Sequence, residues 1–282
     1  MNVPEFFRPD LEDRLRAALR EDLGSGDVTS LATLPPEQRG VGLIRAKADG
    51  VLCGMSVASR VFFLVDESLA CKVLAPDGTR VRPGDPVLRI EGCLQSILIG
   101  ERVALNFLQR LSGIASLTRR YVEALPPGST LAVCDTRKTT PLWRDLERYA
   151  VRIGGGTNHR WGLWDMVMIK DTHVDACGGL AEALARVKQS SGGLPVAAEA
   201  RTLEEARLAA QAGVDLLMLD NMRDDQIARV LAEVGERCAI EVTGGVTPER
   251  LPELARLGVH RVSVGALTHS APALDLSLTL AS

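Results

Sequence analysis

From Leu131 onward, short apolar strands alternate with amphipathic helices, and this alternation limits the possible folds more than any other feature. The six predicted strands are 131–135, 166–170, 195–199, 215–220, 238–242 and 261–265. Near-continuous apolar strands separated by helices are typical of a parallel sheet that is buried on both faces. Because no GxGxxG motif follows the first strand, we predict an α/β barrel rather than an open doubly wound sheet. The less regular region 154–165 is a candidate for a seventh strand.

Helices are expected between these strands. Their predicted ranges are 141–153, 179–190, 203–212, 224–235 and 248–257. Pro141 stands at the favoured first position of its helix, and the glycines at 154–156 are expected to end that helix.

The first part of the chain has a different pattern. A helix is predicted from Leu11, with Asp10 as its N-cap and Gly24 just past its end. Between Val41 and about Gly92, short strands are separated by turn motifs, which indicates a small antiparallel sheet.

A long helix is predicted from about Leu98 to Tyr121. Its apolar face is broad, and a stripe of polar or small residues runs along the helix. This polar stripe consists of Arg102, Asn106, Gln109, Gly113 and Ser116. The pattern alone leaves open whether the stripe is a solvated face. The apolar final segment, 271–282, is expected to pack back on the first domain.

Polar or glycine residues stand where each predicted strand ends. Because the carboxyl ends of barrel strands face one common mouth, we expect these residues to lie together. In strand order they are Asp135 with Arg137 and Lys138, then Lys170, Glu199, Asp220, the run Thr243-Gly244-Gly245, and Gly265. One such strand end is common, whereas a complete succession with complementary charges indicates an active site.

Positive charge is concentrated between Asp135 and His173, although the net charge of the chain is −3. Five of the basic residues in this stretch are candidates for a binding site: Arg137, Lys138, His159, Arg160 and Lys170. They lie at turns beside apolar strands, and not at helical spacing. A binding site for a small, multiply charged anion therefore explains them better than a solvated basic helix face. Arginine suits planar carboxylates, which it binds through two parallel hydrogen bonds.

The acidic and glycine strand ends indicate other ligands. Glu199 and Asp220 offer hard oxygen atoms for Mg²⁺ or for ribose hydroxyls, and a structural salt bridge with a Lys or Arg is the alternative. Gly244, Gly245 and Gly265 would let backbone N–H groups approach a phosphate, although any one of them is also typical of an ordinary loop.

Composition and motifs exclude several classes of function. The slightly acidic net charge argues against a general nucleic-acid or membrane-surface binder, and no apolar run approaches the roughly 18 residues of a membrane span. Six scattered cysteines without CxxC, and a first segment without a secretory signal, lead us to expect a reduced, cytoplasmic, soluble protein. GxSxG and HExxH are absent, so we expect the substrates to carry the reactive atoms while the protein orients and stabilises them.

Seven motifs carry a resemblance to a known family across nearly the whole chain. They are EDLGSGDVTS (21–30), ERVALNFLQRLSGIAS (101–116), TRKTTP (136–141), GGGTNHR (154–160), IKDTH (169–173), MLDN (218–221) and SVGALTHSAPALDLSL (263–278). Together they resemble the bacterial quinolinate phosphoribosyltransferases, the decarboxylating nicotinate-nucleotide pyrophosphorylases. The resemblance implies an N-terminal α/β sandwich domain at 1–112, with 271–282 packing back on it, and an incomplete, seven-stranded type of α/β barrel at 113–270.

The resemblance also implies a reaction. Quinolinate and 5-phosphoribosyl-1-pyrophosphate would give nicotinate mononucleotide, CO₂ and pyrophosphate, with Mg²⁺. The implied quinolinate residues are Arg102, Arg137, His159, Arg160 and Lys170. Those for the donor are Lys138 at its phosphates, Glu199 and Asp220 at the ribose and the metal, and Thr243, Gly244, Gly245 and Gly265 at the 5-phosphate. The predicted catalytic residues among them are Lys138, Lys170, Glu199 and Asp220.

In this family, the arginine that matches Arg102 reaches into the neighbouring subunit's site. The resemblance therefore implies a homodimer, or a higher oligomer built from that dimer. The polar stripe would then be an interface.

Some residues depart from the family pattern. Leu142 stands where glycine is usual, Ala197 and Arg201 where acids are frequent, and Thr243 where serine is usual. Two alternatives remain: a paralogous phosphoribosyltransferase with another acceptor, and a non-catalytic binding protein of the same fold. Retention of His159, Arg160 and Lys170 argues against the first. The survival of all the strand-end charges argues against the second.

Overall fold

The computed structural model describes residues 7–281. The helices are α1 Leu11–Leu23, α2 Val28–Thr33, α3 Met55–Val65, α4 Leu94–Glu123, α5 Arg144–Ile153, α6 Asp171–Cys177, α7 Leu180–Ser190, α8 Leu203–Ala212, α9 Asp224–Val234, α10 Leu251–Leu257 and α11 Ala266–His269. The strands are β1 Arg39–Ala46, β2 Gly50–Val51, β3 Ala70–Val73, β4 Arg80–Val81, β5 Pro86–Cys93, β6 Ala132–Cys134, β7 Val167–Ile169, β8 Val196–Ala200, β9 Leu216–Asp220, β10 Ala239–Thr243, β11 Arg261–Ser263 and β12 Leu276–Leu280. A short 3₁₀ helix, Pro248–Arg250, precedes α10.

Contacts divide the chain into two units. The first holds the described residues up to Arg119, together with Thr140–Gly155 and the residues from Ser270 onward. The second holds Arg120–Thr139 and Gly156–His269. The domain division between residues 112 and 113 stays a prediction. No helix in the part of the chain that the structure describes is long and apolar enough to cross a membrane.

The first unit contains a four-stranded sheet with the order β12-β1-β5-β3, and all of its pairs are antiparallel. The antiparallel sheet expected from the turn motifs is therefore confirmed. Strand β12 pairs with β1, so the described part of the C-terminal segment adds a strand to a sheet formed near the start of the chain. A separate two-stranded sheet joins β2 and β4.

The two parts of the polar stripe on helix α4 have different surroundings. Arg102 is exposed. In contrast, the side-chain amide of Gln109 donates a hydrogen bond to the carbonyl of Leu276 (2.7 Å), and a Cβ added at Gly113 would lie 2.1 Å from the carbonyl oxygen of Pro272. The later part of the stripe is therefore covered by the C-terminal segment of the same chain.

Helix α5 begins at Arg144, so the predicted start at Pro141 is wrong. The intervening Leu142 has a φ of +65°, a left-handed conformation that interrupts any helix at this position. Glycine adopts this conformation without steric cost, which explains why glycine is usual at this position. The predicted end is confirmed, because Gly154 caps the helix.

The second unit is built on a six-stranded parallel sheet with the order β6-β11-β10-β9-β8-β7. Strands β7 to β11 are neighbours in chain order, and β11 returns to pair with β6, the earliest strand. This wrap-around order is that of a barrel and confirms the α/β architecture. The candidate seventh strand is reduced to one bridge, between Cys134 and Thr157, so the barrel is incomplete. Helix α6 was missed, because IKDTH was interpreted only as a strand end.

Asp145, at the start of α5, is a fully buried carboxylate in the first unit. Arg14 donates two hydrogen bonds to it (2.8 and 2.6 Å), and the backbone N–H of Arg8 donates a third (3.0 Å). Burial alone would raise the pKa of Asp145, but these hydrogen bonds outweigh it and the pKa is lowered. Asp10 occupies the N-cap position of α1 as predicted, but its carboxylate makes no capping hydrogen bond and pairs with the same two arginines.

We expect Asp145→Asn to lower the free energy of unfolding at pH 7 by about 2 to 3 kcal/mol, because it leaves Arg14 without its buried anion. The lowered pKa means that this contribution is present above the unfolded pKa of about 3.9 and is lost as pH falls through the folded pKa. Urea denaturation should therefore show the difference from wild type shrinking below about pH 4.

The control for this experiment is Glu12→Gln in the same helix α1, which removes the ion pairs of an exposed carboxylate with Arg16 and Arg60. No measurable change is expected. Equal losses in the two variants would contradict the stated importance of the buried pair.

Candidate active site

The acidic strand ends of the second unit lie on one face of its sheet. Glu199 pairs in register with Met218, and Thr243 pairs with Asp220. Because side chains alternate along a strand, Met218 and Asp220 share a face, so Glu199, Asp220 and Thr243 point to the same side. The predicted grouping of these three residues is thus a consequence of strand register.

Cations gather beside these residues. Burial and then the nearby positive charge of Arg137 lower the pKa of Arg160, and the negative charges of Asp165 and Glu199 oppose that effect. Arg137 and Arg160 are therefore close enough to repel each other. The Lys170 ammonium contacts the Glu199 carboxylate directly. A group of neighbouring positive charges favours the binding of an anion.

The pairing of Lys170 with Glu199 combines two interpretations that the sequence left as alternatives. It is a salt bridge, but both partners are predicted site residues, and 40% of the Lys170 side chain is exposed against 11% for Glu199. The ammonium is therefore accessible to a ligand while it neutralises the more buried carboxylate. Asp220 accepts a hydrogen bond (3.0 Å) from the amide of Asn221, its neighbour.

His159 is more enclosed than a residue on an open binding surface, with 8% of it exposed. Its backbone N–H donates to the buried Asp135 (2.8 Å), which also accepts from the amide of Asn158. Its Nδ1 atom accepts the backbone N–H of Arg160 (2.6 Å). The strand-end residue Asp135 therefore holds the 158–160 segment in place. It does not face a ligand beside the cations.

Glu241 was not singled out by the sequence reasoning. It lies in the middle of β10, is fully buried, and has its Oε2 atom 3.1 Å from Nε2 of His159. The signal that could have found it is a single acidic residue inside the otherwise apolar strand AIEVT. An isolated carboxylate is costly to bury, so a charge at such a position is seldom accidental.

The glycine strand ends differ in how strictly they require glycine. Gly244 has a φ of +87°, and a Cβ there would lie 2.2 Å from Oδ1 of Asn221. Gly245 has a φ of +58°, and an added Cβ would meet nothing within 4 Å. At Gly265 the nearest atom to an added Cβ is Cδ of Lys138, 3.0 Å away. Lys138 therefore lies beside the last strand end, as expected for a common mouth.

His269 also lies near Gly265, with Cδ2 3.2 Å from the position of an added Cβ. The hydroxyl of Thr268 donates to the backbone carbonyl of Lys138 (2.7 Å). Helix α11 therefore anchors the Lys138 backbone. Sequence reasoning missed Thr268 because a threonine in a short helix carries no distinctive signal.

Arg102 belongs to α4 in the first unit, where it is exposed. All the other predicted site residues belong to the second unit.

The departures from the family pattern leave the charged groups in place. Ala197 is fully buried in an apolar cluster with Leu216 and Met218. Arg201 is exposed, and its backbone and guanidinium both bond to Glu205. Ala197 thus fills the core, and Arg201 is occupied by a surface pair.

Carboxylates for a divalent metal are available at two neighbouring strand ends. Within residues 7–281 no group of three or more His, Cys, Asp or Glu side chains could hold a metal ion by itself. Glu199 and Asp220 supply two carboxylates, and Mg²⁺ usually binds one or two carboxylates together with water and substrate phosphates. These residues therefore fit Mg²⁺ that is bound together with a phosphorylated substrate.

Comparison with known proteins gives a consistent result over the whole chain. The family model "Quinolinate phosphoribosyl transferase, N-terminal domain" matches residues 27–112, and the model "Quinolinate phosphoribosyl transferase, C-terminal domain" matches residues 114–279. A Bacillus subtilis protein described as a probable nicotinate-nucleotide pyrophosphorylase (carboxylating) is 41% identical over 259 residues, which cover 92% of this chain and 89% of that protein. A mitochondrial quinolinate phosphoribosyltransferase (decarboxylating) 2b of Nicotiana tabacum is 41% identical over 291 residues, covering 96% and 82%.

Solved structures agree with these sequence matches. NadC from Streptococcus pyogenes superposes with a TM-score of 0.92 at 42% identity, covering 100% of both chains. The nicotinate-nucleotide pyrophosphorylase of Francisella tularensis gives a TM-score of 0.92 at 32% identity, covering 99% of this chain and 100% of that one.

Two adjacent glycines provide a test of the strand-end geometry. Gly244→Ala should destabilise the protein by about 2 kcal/mol or more, because it combines backbone strain with a close contact to Asn221. Gly245→Ala should cost about 1 kcal/mol, since only the left-handed backbone opposes it. Thermal unfolding of both variants compares them, and equal midpoints would contradict the assigned contact.

Proposed function

The chain belongs to the quinolinate phosphoribosyltransferase family, and from that premise we propose how its residues carry out the reaction. The protein is a phosphoribosyltransferase of NAD biosynthesis. It transfers the phosphoribosyl group of 5-phosphoribosyl-1-pyrophosphate to quinolinate, and nicotinate mononucleotide, CO₂ and pyrophosphate are the products.

The observation that best supports this proposal is a linked set of charges, in which Lys170 pairs with Glu199 and Arg160 lies near both Glu199 and Arg137. Quinolinate carries two carboxylates, so its site needs several cations that converge. The two guanidinium groups would form parallel hydrogen bonds with the carboxylates, and their binding would relieve the repulsion between Arg137 and Arg160. Lys170, already partly exposed, would exchange part of its contact with Glu199 for a substrate carboxylate.

The donor is assigned to the other strand ends. Lys138 would contact the donor phosphates, and the Thr243, Gly244, Gly245 and Gly265 backbone would bind the 5-phosphate. Glu199 and Asp220 would bind the ribose hydroxyls and Mg²⁺. When bound, this ion would neutralise negative charge on the departing pyrophosphate.

The chemistry takes place in two steps, a substitution at the ribose and a decarboxylation of the ring. The pyridine nitrogen gives its lone pair to the anomeric carbon while the bond to pyrophosphate breaks, and that electron pair leaves with the pyrophosphate. The ring nitrogen is then positively charged. Loss of CO₂ leaves an electron pair on the neighbouring ring carbon, where the ring charge stabilises it until a proton from Lys170 or water is added. The protein contributes orientation and fixed charge to both steps.

The assembly is also a proposal. Arg102 is exposed on α4, in the part of the polar stripe that its own chain leaves uncovered. We assign the partner subunit's Arg102 to the quinolinate site, which makes a homodimer the smallest active form. A cytoplasmic location stays a prediction.

The reaction is tested directly with the purified protein. Incubation with quinolinate, phosphoribosyl pyrophosphate and Mg²⁺ should release nicotinate mononucleotide and CO₂ in equal amounts. Faster turnover of nicotinate than of quinolinate would indicate a paralogue with another acceptor. Saturable quinolinate binding without turnover would indicate a non-catalytic member of the fold.

We expect Arg137→Ala to weaken quinolinate binding by about 100-fold, because a paired charge-assisted contact to a carboxylate is lost. Isothermal titration calorimetry measures this affinity. The matched control is Arg201→Ala, an exposed arginine that follows β8 and pairs with Glu205. An unchanged affinity in Arg137→Ala would remove Arg137 from the proposed site.

Mixed dimers test the proposed position of Arg102. Arg102→Ala and Arg137→Ala should each be inactive alone. In a hybrid dimer, one site keeps its own Arg137 and receives the partner subunit's Arg102, so random exchange should restore about one quarter of the wild-type activity. Differently tagged chains report whether exchange has occurred. Exchange without any recovery of activity would contradict the shared site.

A further inference from the structure

The surroundings of Glu241 give no evident structural reason for a carboxylate at its position. It is fully buried in the middle of β10, and within residues 7–281 neither of its oxygens accepts a hydrogen bond of good geometry. An apolar residue of similar volume would satisfy such a position with less desolvation. Its closest ionisable neighbour is His159, whose Nε2 atom lies 3.1 Å from Oε2.

The ring of His159 has a defined orientation. Its Nδ1 atom accepts the backbone N–H of Arg160 (2.6 Å), and an accepting nitrogen carries no proton. In the neutral ring the proton therefore lies on Nε2, on the side of the Glu241 carboxylate. The distance between Nε2 and Oε2 is within hydrogen-bond range, although the alignment is not that of a hydrogen bond, so the attraction is mainly electrostatic.

The chain of contacts continues to a binding residue. Asp135 accepts the backbone N–H of His159, and the Nδ1 atom of His159 accepts that of Arg160. One guanidinium nitrogen of Arg160 then donates to the carbonyl of Met166 (3.1 Å). The backbone from which the Arg160 guanidinium extends is thus held by His159, and the ring of His159 lies against a carboxylate of β10.

We propose that Glu241 is a positioning residue for the acceptor site. Its buried carboxylate keeps the proton of His159 on Nε2, which leaves Nδ1 free of a proton to hold the Arg160 backbone. Glu241 itself does not touch quinolinate, and His159 acts mainly through Arg160. This inference rests on the proposed assignment of Arg160 to quinolinate.

The test replaces Glu241 with Met and with Gln. Glu241→Met removes the carboxylate at similar volume, so the thermal midpoint should stay unchanged or rise. Quinolinate affinity and kcat/KM should nevertheless fall about 10- to 100-fold, because a small displacement of a binding group has effects of that size. The KM for phosphoribosyl pyrophosphate should not change. Glu241→Gln keeps an oxygen toward Nε2 and should retain quinolinate affinity within about 3-fold of wild type.

The matched control is His260→Asn. The Nδ1 atom of His260 also accepts a backbone N–H of β10, that of Ile240, the residue before Glu241 (3.0 Å). It should leave the quinolinate affinity unchanged. Unchanged affinity in folded Glu241→Met would overturn the inference. So would equal losses for both substrates, since these would indicate general damage to the site.

A second measurement covers the case in which Glu241→Met does not fold. The chain has four histidines, so nitrogen-15 spectra of the wild-type dimer can assign the His159 ring. A proton on Nε2 is expected, and a proton on Nδ1 would overturn the inference. Wild-type calorimetry separates this idea from the proposed function. If wild type fails to bind quinolinate, the function is wrong, whereas equal binding by wild type and Glu241→Met contradicts only the inference.

Discussion

Repulsion between cations is the physical constraint on which this site depends. Arg137 and Arg160 are close enough that one charge lowers the pKa of the other. Such a group is unfavourable unless anions lie nearby, because the interaction between charges strengthens as water is excluded. Glu199 supplies one of these anions by pairing with Lys170. The acidic residues of the strand ends are therefore needed even before a substrate arrives.

Buried carboxylates of a second kind hold the backbone. Asp135 binds the segment that carries His159, and Glu241 lies against the ring of the same histidine. Both carboxylates are fully buried; Asp135 directly follows strand β6, and Glu241 lies within strand β10. A rigid sheet defines positions more precisely than a loop can, so anchoring a binding loop to two strands reduces the freedom of its charged side chains.

The first unit shows how one chain surface serves two purposes. The polar stripe of α4 was expected to be either solvent-exposed or an interface. Its later part is covered by the C-terminal segment, through Gln109 and Gly113, which stabilises the antiparallel sheet that β12 completes. Within residues 7–281, Arg102 in its first part remains exposed, and this is the arginine that we propose for the partner subunit's site.

The sequence by itself determined which strand ends carry the candidate site residues. Apolar runs with charged ends identified the parallel sheet. Gly244 has a left-handed φ, which agrees with a glycine at this strand end. The start of α5 could not be predicted, since a left-handed φ is uncommon for leucine and helix propensity alone would continue the helix through Leu142. Glu241 was also hidden. Only the tertiary structure brought it to His159, because a linear pattern cannot specify which side chains of distant strands meet inside a barrel.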